Sequence, residues 1–221
     1  MKKLFYQICI GTVALALFQS CVDSQKKREF NSVYEGEYLS RIAFPIGGMG
    51  AGMFCVEGSG AISHVSVRNR PQIFNEPCMF AAIHIQGVDN GTKVIEGQSP
   101  EWKRFGLSGS GNGLGNTTWG LPRFEENTFL TRFPFAEIEL KDKELPVDVQ
   151  MKAWSPFIPT DEDNSSLPVG AVEYTFHNTG NKPLEIIFSY TSRNFMFVEN
   201  KGVSTVKPIT NGFILTQTGT K

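Results

Sequence analysis

The sequence predicts an all-β protein built as a large antiparallel β-sandwich. Three observations carry that expectation. Apolar and polar residues alternate with a period of two over several runs. Turns rich in Asn and Gly separate those runs. Beyond the N-terminal segment, Pro and Gly interrupt most windows long enough for a helix, and none reads as a convincing one.

The chain opens with a segment that stands apart from this pattern. Met1-Lys2-Lys3 is a short positive start, Leu4 to Leu17 is mostly apolar, and Phe18-Gln19-Ser20-Cys21 follows. Residues 1–20 read as a secretory signal, and the apolar stretch is shorter than the roughly 20 residues of a spanning helix. A cysteine after a small residue resembles a bacterial lipoprotein signal with Cys21 as the lipidated first mature residue. The plain alternative is an ordinary cleaved signal in which Cys21 is incidental. Lipidation would place the protein outside the cytoplasm, periplasmic or at the cell surface, with the membrane as a partner through its anchor. Residues 21–40 are polar and aperiodic and read as a tether into a domain covering 41–221.

The domain begins with FPIGGMGAGMF, residues 44–54, where Gly47, Gly48, Gly50 and Gly52 crowd an apolar run. Glycine loses more backbone freedom on folding than other residues, so four of them need a reason. The spacing fails the dinucleotide fingerprint, because the third glycine falls one place early and the chain continues into FCVEGSGAISHVSV, a hairpin pattern and no helix. A Walker loop would need Gly-Lys-Ser/Thr. What is left is a turn or bulge with close backbone approach. Next comes SVRNRPQIFNEP, residues 66–77, the densest polar cluster. Arg68, Asn69, Arg70 and Glu76 there suit either a loop knitted by an Arg–Glu pair or an interface near substrate.

The strand patterns then follow in order. Met79, Ala81, Ile83 and Ile85 share a face, as do Val147, Val149, Met151 and Ala153. Val172, Tyr174 and Phe176 form another such face, and Leu184, Ile186, Phe188 and Tyr190 a further one; Phe213-Ile214-Leu215 is a last short run. The turn signals are Asp89-Asn90-Gly91, Asn178 to Pro183, and Asn211-Gly212. Between the first two strand patterns lies GLSGSGNGLGNTTWG, residues 106–120, with six glycines, which reads as a long loop carrying Trp119.

Composition excludes several function classes. A formal net charge of −1 over 221 residues leaves no basic face for nucleic acid, and Lys26-Lys27-Arg28 is too short to change that. His64, His84 and His177 lack paired ligand spacing, so no metal site is assigned, and His64 and His84 are expected to play hydrogen-bonded structural roles. No G-x-S-x-G elbow occurs, and no cofactor is expected. The Asp161-Glu162-Asp163 run reads as a solvated loop. Of the cysteines outside the signal segment and Cys21, Cys55 and Cys78 could pair outside the cytoplasm; the favoured reading is two thiols acting as small hydrophobes.

Two long stretches resemble the N-terminal domain of glycoside hydrolase family 116, the family of non-lysosomal glucosylceramidase, also called bile acid β-glucosidase. They are FPIGGMGAGMFCVEGSGAISHVSVRNRPQIFNEPCMFAAIHI and RFPFAEIELKDKELPVDVQMKAWSPFIPTDEDNSSLPVGAVEYTFHN, with the Gly-rich loop before the second. The resemblance implies a β-sandwich followed by an (α/α)6 barrel that carries the two carboxylates of a retaining β-glucosidase. No stretch of this sequence reads as that barrel, so no catalytic residue is assigned and the chain alone is expected to lack β-glucosidase activity. The resemblance thus implies a non-catalytic domain that packs on the barrel and shapes the entrance for a β-glucoside or glycolipid. Gly47, Gly48, Gly50, Gly52, Arg68, Asn69, Arg70 and Glu76 are the candidate interface residues. The alternative function is a stand-alone carbohydrate-binding surface lipoprotein using Trp102, Trp119 or Trp154, each of which core packing would otherwise explain.

Overall fold

The computed structural model describes residues 28–67, 71–73, 75–105, 120–197 and 202–219. The signal segment, Cys21, the loop at 106–119 with Trp119, and Arg68, Asn69 and Arg70 lie outside the described residues. The chain divides into two units, Met1–Ser32 and Val33–Lys221. Within the first, Arg28 donates to the Ser32 carbonyl at 2.6 Å and Ser32 Oγ donates to the Glu29 carbonyl at 2.8 Å, a local turn.

The second unit contains twelve strands among its described residues: β1 (Ala43–Gly47), β2 (Met53–Glu57), β3 (Ile62–Ser66), β4 (Met79–Ile85), β5 (Thr92–Val94), β6 (Glu126–Arg132), β7 (Phe135–Lys141), β8 (Val147–Trp154), β9 (Ala171–Asn178), β10 (Ile186–Ser192), β11 (Ser204–Ile209) and β12 (Gly212–Gln217). The strands pair antiparallel into sheets ordered β6-β7-β8-β9, β10-β4-β5, β1-β2-β3 and β11-β12. The four-stranded sheet forms one layer, and the two three-stranded sheets lie across it. The predicted all-β sandwich is therefore what the chain builds.

Alternation explains the core. On β8, Val147, Val149, Met151 and Ala153 are almost completely buried, while Gln150 points to solvent. Ala136, Ile138 and Leu140 of β7 line up beside them. Ala81, Ile83 and Ile85 of β4 supply the facing layer, and Ile46, Val56, Phe124 and Phe129 join the same cluster. Burying one such side chain stabilises by about 1.5–3 kcal/mol relative to leaving it exposed.

Three expectations are corrected. Short helical turns do exist: a 3-10 turn at Gly36–Leu39, α1 (Glu101–Phe105) and α2 (Glu162–Ser165). The acidic run at Asp161 is thus a helix start, where the Asp161 carboxylate accepts the Asn164 N–H at 3.0 Å and caps the turn. A single helical turn is too short to carry a periodic signal. The turn at Asn178–Pro183 does not close a hairpin, because β9 pairs with β8 and β10 pairs with β4. It carries the chain from one layer to the other. Finally, the apolar face of β10 is less covered than its pattern implies, with Phe188 and Tyr190 both exposed.

Candidate functional site

The glycine stretch is the turn joining β1 to β2. Gly47 pairs with Met53, and Ala51 N–H donates to the Gly48 carbonyl at 3.1 Å. Close backbone approach is found at three of the four glycines, and the neighbour is this chain. A Cβ on Gly48 would lie 2.3 Å from the Leu167 carbonyl oxygen and 2.5 Å from that of Ser166. One on Gly47 would lie 2.3 Å from the Gly52 carbonyl oxygen, and one on Gly52 would lie 3.1 Å from that of Ser66. Gly50 differs, since nothing lies within 4 Å of its would-be Cβ and its φ is +72°. Its glycine serves conformation and not packing. Gly50→Ala should cost about 1 kcal/mol from the left-handed backbone alone, read as a small drop in the urea midpoint; a loss above about 3 kcal/mol would show that Gly50 packs on something.

The turn is tied to the segment after β8. Met49 N–H donates to the Ser165 carbonyl at 2.9 Å. Ser165 Oγ in turn accepts the Ile158 N–H at 2.9 Å and donates to the Ile158 carbonyl at 3.1 Å. Phe157 stacks edge-on against Phe133 of the β6–β7 turn, with ring centroids 4.8 Å apart. These ties gather Met49, Phe133, Phe157, Ile158, Leu167 and Val169 at one end of the sandwich, all exposed, Met49 at 51% and Phe133 at 66%. Large apolar side chains clustered on a surface mark an interaction site more often than scattered ones do.

Beneath the polar loop lies a buried charge cluster. Lys103 Nζ, from α1, donates to Glu57 Oε1 at 2.5 Å and Glu76 Oε1 at 2.7 Å. One cation thus serves two carboxylates. Burial pushes the Glu57 carboxyl above the usual range and the Glu76 charge adds to it, while Lys103 works in the opposite direction. Burial and the charge of Glu57 together push the neighbouring Cys55 thiol up to about 11. Cys55 and Cys78 are both free, with Cys55 buried, in keeping with thiols that behave as small hydrophobes. The carboxylate of Glu76 is thus held by Lys103, a partner the sequence does not announce.

Two further buried ion pairs follow the same logic. Lys93 Nζ meets Asp142 Oδ2 at 2.5 Å, and Arg123 Nη2 meets Glu96 Oε2 at 3.1 Å. Burial pushes the Asp142 carboxyl up, but hydrogen bonds from Lys93 and from the Glu144 and Glu125 N–H groups outweigh it and hold it below the usual range. Each of these carboxylates is a structural tie between elements distant in sequence.

A groove of about 830 Å³ opens beside the Lys103 cluster, bordered by Leu39, Arg41, Glu57, His64, Trp102 and Asn127. Trp102 Nε1 donates to the Ser40 carbonyl at 2.7 Å, and the Arg41 guanidinium sits 4.2 Å over its ring. His64 has a positive φ of 52°, next to a register irregularity between β2 and β3, and its Nδ1 lies 2.7 Å from Ser63 Oγ. His84 Nδ1 lies 2.7 Å from Thr92 Oγ1, the structural role expected of it. Trp154 Nε1 donates to Glu173 at 2.5 Å and its ring leans on Phe135.

Comparison with known families gives a match over most of the chain. A family described as beta-glucosidase 2, glycosyl-hydrolase family 116 N-term, fits residues 43–213. No curated protein matches the chain.

Proposed function

Because the chain belongs to glycoside hydrolase family 116, through that family's N-terminal domain, we propose that it is the non-catalytic sandwich of a retaining β-glucosidase. It packs on an (α/α)6 catalytic domain and helps shape the entrance for a β-glucoside or glycolipid. Cys21 carries the lipid that anchors it outside the cytoplasm. The observation that supports docking is the apolar end around the Gly48–Ala51 turn, where Met49, Leu167 and Phe133 face solvent on a backbone fixed by hydrogen bonds. A rigid, apolar, solvent-facing end suits a permanent partner better than a transient one.

Two measurements test this. The purified chain should turn over no aryl β-glucoside, and clear turnover would overturn the reading. Co-expressed with an (α/α)6 domain of the family, the chain should co-purify as a one-to-one complex. Met49→Asp should then weaken the complex at least tenfold, and an unchanged complex would move the docking site elsewhere.

The groove favours a second reading, a sugar-binding surface, since its volume suits a small ligand and Trp102 is on its wall. Calorimetry against short β-glucans decides that reading, and the absence of heat removes it.

A further inference from the structure

Among the described residues that border the groove, His64 alone combines a side chain with a positive φ. The β2–β3 register shows why the backbone bends there. Met53 pairs with Ser66 and Cys55 with Ser63, so His64 and Val65 together oppose the single Phe54. That is a β-bulge, and a left-handed first residue in a bulge is usually glycine. A histidine at that place, with φ at 52°, points to a use for its ring.

Behind the ring runs a chain of buried polar groups. His64 Nδ1 lies 2.7 Å from Ser63 Oγ, and Ser63 is completely buried. Ser63 sits opposite Cys55, on the face that also carries Glu57 two residues along β2, a diagonal neighbour within reach of a long side chain. The Ser63 hydroxyl is hydrogen-bonded to the Glu57 carboxylate. Lys103 Nζ in turn donates to Glu57 Oε1 at 2.5 Å.

Proton counting sets the direction of these bonds. An ionised carboxylate only accepts, and a hydroxyl has one proton to give. With that proton donated to Glu57, Ser63 can only accept from His64, so the imidazole proton is on Nδ1 and Nε2 is an acceptor. We infer that Glu57, acting through Ser63, holds His64 in the Nδ1-protonated tautomer and so makes the imidazole at the groove a hydrogen-bond acceptor. Glu57 and Ser63 are positioning residues; His64 presents the acceptor. The ligand group that suits it is an O–H donor, which sugars carry in abundance. The ligand step rests on the sugar-binding reading of the groove, and the tautomer does not.

The test is the tautomer of His64 in the full chain in mild detergent. It is read from the 15N shifts of the two ring nitrogens at pH 8, above the ordinary imidazole value. The His64 signals are those lost in His64→Gln. The wild-type ring should be protonated on Nδ1 and bare on Nε2. Ser63→Ala and Glu57→Met each break the chain of bonds. Each should turn the ring to the Nε2-protonated form that histidine prefers in water, with wild-type circular dichroism. Residues with a merely structural role would leave the tautomer where it was. A wild-type ring protonated on Nε2 overturns the inference, as does a tautomer that neither variant moves. The wild-type spectrum decides even where a variant fails to fold. Calorimetry with cellotetraose then tests the ligand step. Ser63→Ala should weaken binding about tenfold, the scale of one hydrogen bond, and equal binding by both chains overturns the contact with His64. An absence of heat from the wild type removes the groove reading, while the tautomer stands or falls on its own spectrum.

Discussion

Replacing Lys103 by Met is expected to cost about 3–5 kcal/mol, because it strands two carboxylates in the interior with no cation. Glu57 and Glu76 would be left facing each other across the former ammonium site, and the buried Glu57 carboxyl would be pushed further toward its protonated form. The pH dependence gives the effect its signature. Glu57 already sits above its ordinary range through burial, so its contribution is present below the unfolded value and is lost as pH rises through the raised one. Removing Lys103 removes the influence that lowers it and widens that window upward. Urea unfolding should therefore show a larger deficit at pH 8 than at pH 5. An equal deficit at both, or one under about 1 kcal/mol, would mean that the cluster is solvated and not buried. Glu57→Gln is the contrast. It leaves Lys103 balanced against Glu76 alone and should change stability at neutral pH by about 1 kcal/mol or less, while flattening the loss on the alkaline side.

The second large effect belongs to Gly48. Gly48→Val should destabilise by about 3 kcal/mol, since its Cβ would land 2.3 Å and 2.5 Å from two backbone oxygens that cannot rotate away. The segment from Ser165 to Leu167 must move, and the Met49 N–H bond to Ser165 goes with it. The predicted consequence is a clear drop in the urea midpoint and, where the docking proposed above holds, weaker binding to the proposed catalytic-domain partner. If the variant keeps wild-type stability, the turn and the 165–167 segment are not in contact in solution. Gly48 and Gly50 stand two residues apart with opposite reasons for being glycine, so comparing them separates lack of space from backbone conformation.

The sequence shows which side chains face inward far better than it shows which strands are neighbours. Val147, Val149, Met151 and Ala153 were readable because a period of two reports burial of one face directly. The partner of β10 was not readable, because Asn178–Pro183 carries the residues of a hairpin turn whether the chain doubles back or changes layer. The Lys103 cluster left no trace, since Glu57, Glu76 and Lys103 come from three segments and each alone looks like surface polarity. The apolar end escaped for a related reason. Phe133 sits in a turn and Phe157 and Ile158 in the loop after β8, where no period exists to mark them, and only the fold brings them to Met49. The glycine stretch was half legible: close approach could be argued from its density, but not that the approaching backbone comes from residues 165–167.

The layer change between β9 and β10 also governs how the protein must be made. Ile85 of β4 pairs with Ile186 of β10, roughly 100 residues later in the chain. A nascent chain emerging at about 5–20 residues per second leaves β4 waiting some 5–20 seconds for that neighbour. Contacts so distant in sequence also close slowly once both strands are available, because the loop entropy is spent before any reward. The midsection of this domain is thus a late event, and β4, its most apolar strand, passes through a period with one side bare. Until residue 192 has arrived, the β10 side of β4 is an unpaired strand edge open to wrong association.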